Sequence, residues 1–154
     1  MLLNIVKFID LLLYSIVLSQ PFFYALAMTK SQKGLSAPAY IELRNLIDKS
    51  LQMKMRLLYY SVLVVALVLI GLSSANPTSL LFICSVISFA GLAFDMYFTL
   101  KGNIPINKII QGWSPDNYPP EWAETRKQWF FYYSRRQVAD IIGFVSLLVG
   151  IVFG

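Results

Sequence analysis

Aromatic and ionisable residues recur at helical spacing towards the end of the chain. Successive members are separated by four or three positions, which places them on one face of a helix. They are Trp122, Arg126, Trp129, Tyr133, Arg136 and Asp140. Gly143 and Gly150 continue this face and would let a neighbouring helix approach closely. The pattern predicts a polar and aromatic ridge that faces other helices.

A second polar stripe lies in the preceding apolar run. Its members, again at helical spacing, are Cys84, Ser88, Gly91, Asp95, Thr99 and Gly102. Asp95 lies near the end of one apolar run and Asp140 near the start of the next, so we expect both at a similar depth, beside Arg136. An unpaired carboxylate in a membrane is costly, which favours an ion pair or a shared polar cavity.

Two interpretations of this cluster stay open. In the structural one, Arg136 and an aspartate lock the helices together. In the functional one, the first, third and fourth helices enclose a cavity that binds a small lipophilic molecule or relays protons. On the first helix, Lys7 and Asp10 are three positions apart, and we expect them to form a local pair away from this cluster.

The residue inventory limits the chemistry. The chain has no histidine and one cysteine, which excludes a haem ligated by histidine and the usual zinc sites. Clustered carboxylates for a di-metal centre are also missing. We therefore expect no metal and no cofactor, and any enzymatic activity would have to proceed without histidine.

The composition is that of a membrane protein. Of the 154 residues, 57% are apolar and 14% are charged, and the mean hydropathy is +0.62. No charge occurs between Arg56 and Asp95, a stretch that can cross a bilayer twice with a turn in the middle. The sequence predicts an all-α, four-helix transmembrane bundle formed by a single domain, 1–154. The predicted spans are 5–28, 57–75, 79–100 and 131–153.

Lysine and arginine residues predict the orientation. They cluster in the predicted connectors, 29–56 and 101–130, and the turn between the second and third spans has none. The positive-inside rule then puts both connectors in the cytoplasm and both termini outside, in a cell membrane. We expect helices 2 and 4 to extend into the cytoplasm. Topology and the lipid bilayer explain the net charge of +5, so it does not indicate nucleic-acid binding.

The second predicted connector, 101–130, carries a further motif. Asn103, Pro105 and Asn107 are followed by Trp113 and Pro115, and then by the aromatic ridge with Trp122, Arg126, Trp129 and Arg136. In order and spacing, these residues resemble the signature of the anthrone-oxygenase-like family of small membrane proteins, many of which carry only a domain of unknown function. The resemblance spans about Asp95 to Gly150. At the position of Tyr133, members of that family commonly carry a histidine.

The resemblance implies a four-helix membrane bundle and, for some fungal relatives, oxidation of an anthrone to an anthraquinone without metal or flavin. Under it, Asp95 or Asp140 would be the base, Arg126 or Arg136 the stabilising cation and Tyr133 a hydrogen-bond donor. A substrate would be bound by Asn103, Asn107, Trp113, Trp122, Arg126 and Trp129. Each of these also has an architectural interpretation, in which the asparagines cap helix ends and the tryptophans anchor the membrane interface.

Three functions remain open on the sequence alone. The first is an enzyme or binding protein for a lipophilic aromatic or quinone-like compound. The second is an accessory subunit of a larger membrane complex, or a homo-oligomer, with no enclosed pocket. The third is a small proton-coupled transporter, which the apolar outer halves of the predicted spans disfavour.

Overall fold

Four long helices make up almost the whole chain. A computed structural model describes residues 1–154 and contains no β-strand, apart from an isolated bridge between Ser114 and Asn117. The helices are α1 (Leu2–Lys33), α2 (Ala37–Ser73), α3 (Leu80–Gln111) and α4 (Trp122–Phe153). All four are long and apolar enough to cross a membrane. The all-α, four-helix membrane fold predicted from the sequence is confirmed.

The helices are longer than the predicted spans. The extension of α2 and α4 beyond the membrane was expected, but α1 also continues to Lys33 and α3 to Gln111. The stretches predicted as connectors shrink to 34–36 and 112–121. Asn103 and Asn107 consequently lie inside α3, and the expectation that they cap helix ends is wrong.

Two π-helical turns allow α1 and α3 to continue. They span Tyr24–Met28 and Thr99–Asn103, and each lies close to a proline. A proline inside a helix has no N–H, and its ring crowds the carbonyl four residues earlier. For Pro105 that carbonyl belongs to Lys101, inside the π turn, so the wider turn makes room for the ring and the helix does not end.

The two ends of the bundle differ in charge. We call the end with the connectors 34–36 and 112–121 the connector end, and the end with both termini and the α2–α3 turn 74–79 the hairpin end. Every lysine and arginine except Lys7 lies between Lys30 and Arg56 or between Lys101 and Arg136, in the connectors or in the parts of the helices that adjoin them. The exterior between the ends is apolar, with exposed side chains such as Phe94 and Ile142, as expected of a surface that faces lipid.

The interior is held together by close contact of α3 and α4, the most extensive helix pair of the bundle. Gly91 lies against α4, where an added Cβ would come within 2.7 Å of the Ala139 carbonyl oxygen. Gly143 likewise lies against Ser88 of α3 and the Tyr14 hydroxyl of α1. These small residues bring the predicted ridge and the predicted stripe into contact along the bundle axis.

Candidate functional site

A pocket of about 330 Å³ lies between α2 and α3 near the connector end, with α4 behind it. It is within the size range of sites for small organic ligands. Aliphatic and thioether side chains supply much of its wall: Ile47, Leu51, Met55, Met96, Leu100 and Ile104. Polar and charged groups contribute from all four helices, including Gln20 of α1. The lining combines apolar surface with a few convergent polar groups, as binding sites usually do.

The back wall of the pocket is aromatic. The rings of Trp129 and Tyr133 are stacked, with centroids 4.8 Å apart and planes 14° from parallel. The guanidinium carbon of Arg44 lies 4.2 Å from the centre of the Trp129 ring, a favourable cation–π arrangement. Tyr24 packs against Tyr133 from α1, with ring centroids 4.6 Å apart, and fixes the stack from the other side.

Towards the connector end, a hydrogen-bonded network, the polar bridge, bounds the pocket. It consists of Arg44 and Asp48 on α2 and Asn107 and Gln111 on α3. Arg44 donates to Asp48 Oδ1 at 2.8 Å and to Asn107 Oδ1 at 3.0 Å. Asn107 and Gln111 donate to the Asp48 carboxylate at 3.3 and 3.4 Å. Trp129 Nε1 donates to Asn107 Oδ1 at 2.8 Å, which ties α4 to the bridge.

At its deeper end, the pocket meets the Arg136 guanidinium. Arg136 forms a buried ion pair with Asp95 through its Nε. Its other nitrogens donate to Asn103 Oδ1 and to the Tyr59 hydroxyl, each at 3.4 Å. Asn103 is fixed in turn, because its amide donates to the Trp129 carbonyl at 3.0 Å. Arg136 thus has one strong partner inside the bundle and two long, neutral contacts on the side of the pocket.

Behind Arg136 lies a group of buried acidic and hydroxyl side chains with few partners. We call Asp10, Tyr14, Asp95 and Asp140 the inner carboxyl cluster. Asp140 is 0% exposed and Asp10 1% exposed, and no carboxylate oxygen of either accepts a hydrogen bond. The Tyr14 hydroxyl and the second oxygen of Asp95 are also without partners. The expected pair between Lys7 and Asp10 does not form, because Asp10 points into the bundle interior.

The structure divides the residues predicted to form the site into three groups. Asn103, Asn107, Trp129, Tyr133 and Arg136 line the pocket. Asp95 and Asp140 are buried behind Arg136 and do not reach it. This pocket lies between α2, α3 and α4, whereas the cavity predicted from the sequence was among the first, third and fourth helices. Either aspartate could influence a ligand there only through Arg136.

The third group lies outside the pocket. Arg126 donates to the carbonyl oxygens of Gln32 and Leu35, at 3.3 and 2.9 Å, and packs over the Trp122 ring at 4.5 Å. It therefore fastens the connector 34–36 to α4, and it borders a separate surface groove between α1 and α4. Trp113 packs against a buried cluster that includes Tyr40 and Trp129. These contacts pack the three residues against other parts of the protein, outside the pocket.

Sequence reasoning missed four polar residues that shape the pocket: Arg44, Asp48, Tyr59 and Gln111. Tyr59 is buried and contacts Arg136, whereas Arg44 and Asp48 are buried in the part of α2 that the sequence predicts to extend into the cytoplasm. Their spacing of four on one helix is a signal, but it is equally typical of a surface ion pair. Only the continuation of α3 past Pro105 brings Asn107 and Gln111 opposite them.

The pocket is electropositive. Four cationic side chains line it, Arg44, Arg56, Lys108 and Arg136, against a single carboxylate, Asp48. Arg56 and Lys108 form no salt bridge. Such a lining favours an anionic group on a ligand over a cationic one. No group of three or more His, Cys, Asp or Glu side chains is close enough to hold a metal ion.

Comparison with protein-family models, with curated proteins and with solved structures found no match to this chain. The fold and the geometry of the pocket therefore carry the functional argument. That geometry belongs to a multi-pass membrane protein with an aromatic, electropositive pocket at the basic end of its bundle.

Proposed function

We propose that this membrane protein binds a small acidic aromatic molecule, such as a phenol-like or quinone-like compound, in the pocket between α2 and α3. The observation that carries the proposal is the combination, in one pocket, of a stacked Trp129–Tyr133 wall with the guanidinium of Arg136. The outer faces of this stack are covered by Arg44 and Tyr24. A flat ring in the pocket therefore gains dispersion and edge-to-face energy against the rims of the two rings. An acidic oxygen on the same ring gains charge-assisted hydrogen bonds from arginine.

The contacts of Arg136 support an anionic ligand. Its two bonds on the pocket side are long and go to neutral oxygens, those of Asn103 and Tyr59. An anionic oxygen that replaces them would form shorter and stronger bonds. Near the rim, the exposed Arg56 and Lys108 have no acidic partner and would attract the same charge during entry.

The orientation of the bundle follows from its charge. We propose that the connector end, which carries nearly all of the lysine and arginine residues, faces the cytoplasm, and that both termini face outward. The pocket would then lie at the inner face of a cell membrane, where amphiphilic aromatic compounds partition between lipid and water.

The resemblance to the anthrone-oxygenase-like family supports the same ligand class. In the reaction of some fungal members of that family, the CH₂ group of an anthrone is oxidised to a carbonyl. One molecule of dioxygen is consumed, and an anthraquinone and one molecule of water are formed. Here Arg136 would stabilise the anthrone enolate. The only carboxylate that lines the pocket is Asp48, and it already accepts bonds from Arg44, Asn107 and Gln111. A proton acceptor for this chemistry is therefore poorly provided, and binding is the function that the geometry supports best.

The pocket also separates this proposal from the other two functions. An accessory subunit needs an apolar exterior but no cavity lined by arginine and stacked aromatic rings. A transporter needs polar groups across the full thickness of the membrane, whereas the pocket is confined to the half of the bundle nearer the connector end.

The experiment is a binding measurement on the protein purified in mild detergent. Anthraquinone-2-sulfonate is a suitable probe, since it is flat, aromatic and permanently anionic. Leu51 lines the pocket, and a tryptophan at this position would fill part of it. We therefore expect Leu51→Trp to weaken binding of the probe by about tenfold or more, which corresponds to about 1.4 kcal/mol of binding free energy.

Leu46→Trp provides the matched control, because Leu46 lies on the same helix but is exposed and does not line the pocket. It should bind the probe as the unchanged protein does. Equal affinity of the Leu51→Trp and Leu46→Trp proteins would contradict the proposed site, and absence of binding to the unchanged protein would contradict the proposed ligand class.

A further inference from the structure

We infer that an aromatic anion binding to Arg136 from the pocket takes up a proton into the inner carboxyl cluster, so that ligand and proton bind together. This inference rests on the proposed function, and it adds a coupling that anion binding alone does not require. It follows from the number of charges that share one buried guanidinium.

Two buried carboxyl groups behind the pocket share a single cation. Asp95 and Asp140 are both 0% exposed, and Arg136 is the one cation among the groups that interact with them. Asp140 is four residues from Arg136 on α4, which brings the two side chains to the same region of the helix surface, yet only Asp95 forms the ion pair. One guanidinium therefore serves two carboxyl groups.

The titratable groups that interact with Asp140 come from all four helices: Tyr14 from α1, Tyr59 from α2, Asp95 from α3, and Tyr133 and Arg136 from its own helix. None of these except Arg136 is a cation. The nearby apolar core, which includes Val62, Leu92 and Leu147, adds no donor.

The buried charges of Arg136, Asp95 and Asp140 have to sum to zero. A net charge inside a membrane protein is unfavourable, because neither lipid nor apolar side chains replace the hydration of the ion. Without ligand, the trio of Arg136, Asp95 and Asp140 is neutral when one carboxyl group carries a proton. The absence of any bond to either oxygen of Asp140 assigns that proton to Asp140, while Asp95 stays ionised in its ion pair.

The consequence appears when an anion enters. Its negative charge on Arg136 would give the trio and the ligand together a net charge of minus one. Neutrality is restored when Asp95 also takes a proton and Arg136 pairs with the ligand instead. No other bond is made or broken, and the proton comes from water. By linkage, proton uptake strengthens ligand binding as the pH falls, and ligand binding strengthens proton binding to the same extent.

The absence of histidine makes the test unusually clear. A histidine would titrate between pH 6 and 8 and obscure the result, but the chain contains none. The probe is again anthraquinone-2-sulfonate, whose own charge does not change in this range. If binding takes up one proton, the dissociation constant of the probe should rise about tenfold for each unit by which the pH is raised. Calorimetry in two buffers with different ionisation enthalpies measures the same uptake directly, without any variant.

Variants identify the site of the proton. Asp95→Asn alone should keep the pH dependence, because Asp140 then becomes the partner of Arg136 and takes its place. The double variant Asp95→Asn/Asp140→Asn should bind the probe with an affinity that does not change between pH 6 and 8. The control is Asp116→Asn/Glu121→Gln, two exposed acidic residues of the connector, and it should keep the slope.

The possible failures are distinguishable. If the probe binds with the same affinity at every pH and calorimetry finds no proton uptake, the coupling is wrong while the proposed function stands. A slope that survives in the double variant also overturns the inference, since the proton then goes elsewhere. Lack of binding at any pH overturns both.

Discussion

The polar bridge and the inner carboxyl cluster both place buried aspartates next to a buried arginine, Arg44 in the bridge and Arg136 beside the cluster, but they differ in how fully the carboxyl groups are bonded. In the bridge, the oxygens of Asp48 receive N–H groups from Arg44, Asn107 and Gln111. In the cluster, neither Asp10 nor Asp140 receives any. The difference lies in the number of donors near each carboxylate.

This difference assigns separate roles to the two regions. A buried carboxylate with several donors is stable as an anion and holds helices in one arrangement. A buried carboxyl group without donors is better accommodated in its neutral form, so it can exchange a proton. The bridge therefore positions α2 and α3 around the pocket, and the cluster supplies protonatable groups next to it. Substitutions in both regions test this contrast.

The largest effect is expected for Arg136→Met. It removes the one cation beside the inner carboxyl cluster and leaves Asp95 buried without its partner. The loss of one member of a buried ion pair costs about 3–5 kcal/mol in the free energy of unfolding. Unfolding by SDS in mixed micelles measures this quantity. Arg135→Met, at the exposed neighbouring position, is the control and should change it by about 0.5 kcal/mol or less.

A second variant tests the reason for that loss. Adding Asp95→Leu to Arg136→Met removes the unpaired carboxylate as well, so a large part of the stability should return. If the double variant is as unstable as Arg136→Met, the loss comes from packing of the arginine and not from the charge left behind.

An intermediate effect is expected in the polar bridge. Asn107→Ala removes a donor to Asp48 and the acceptor of Trp129 Nε1. Because the remaining partners stay buried, we expect a loss of about 1–3 kcal/mol in the same measurement. Asn4→Ala is the matched control, since Asn4 is an exposed asparagine on α1. An equal effect of the two substitutions would mean that the bridge does not hold α2 and α3 together.

The smallest effect is expected for Asp10→Leu. Asp10 is buried and neither of its oxygens has a partner, so an apolar side chain of similar size should be tolerated. The free energy of unfolding should stay unchanged or rise by about 1 kcal/mol. A loss of about 2 kcal/mol or more would show that Asp10 has a bonding partner in the folded protein.

Helical periodicity predicted the fold and the buried faces well. The ridge from Trp129 to Gly150 and most of the stripe from Cys84 to Gly102 are buried as expected, because lipid leaves only the bundle interior for polar groups. The ion pair of Asp95 with Arg136 was one of the alternatives left open, and it is present.

The location of the pocket could not be predicted. It depends on α3 continuing past Pro105, whereas a proline after a short glycine- and asparagine-containing segment usually indicates the end of a helix. The sequence also gave no direction for Asp10, since a pair with Lys7 and an inward position are both compatible with a spacing of three. Burial of Arg44 and Asp48 follows from partners far along the chain, Asn107 and Gln111.

The π turn Thr99–Asn103 has a consequence for the register of the residues that follow it. One residue more than an α-helical turn requires is accommodated there, and a single residue corresponds to a rotation of about 100° around the helix axis. The side chains of Asn103 and Asn107 point towards α4 and α2 because of this rotation. A relative that lacked one residue in this segment would turn both amides away from α2 and α4 while its membrane-embedded half stayed unchanged.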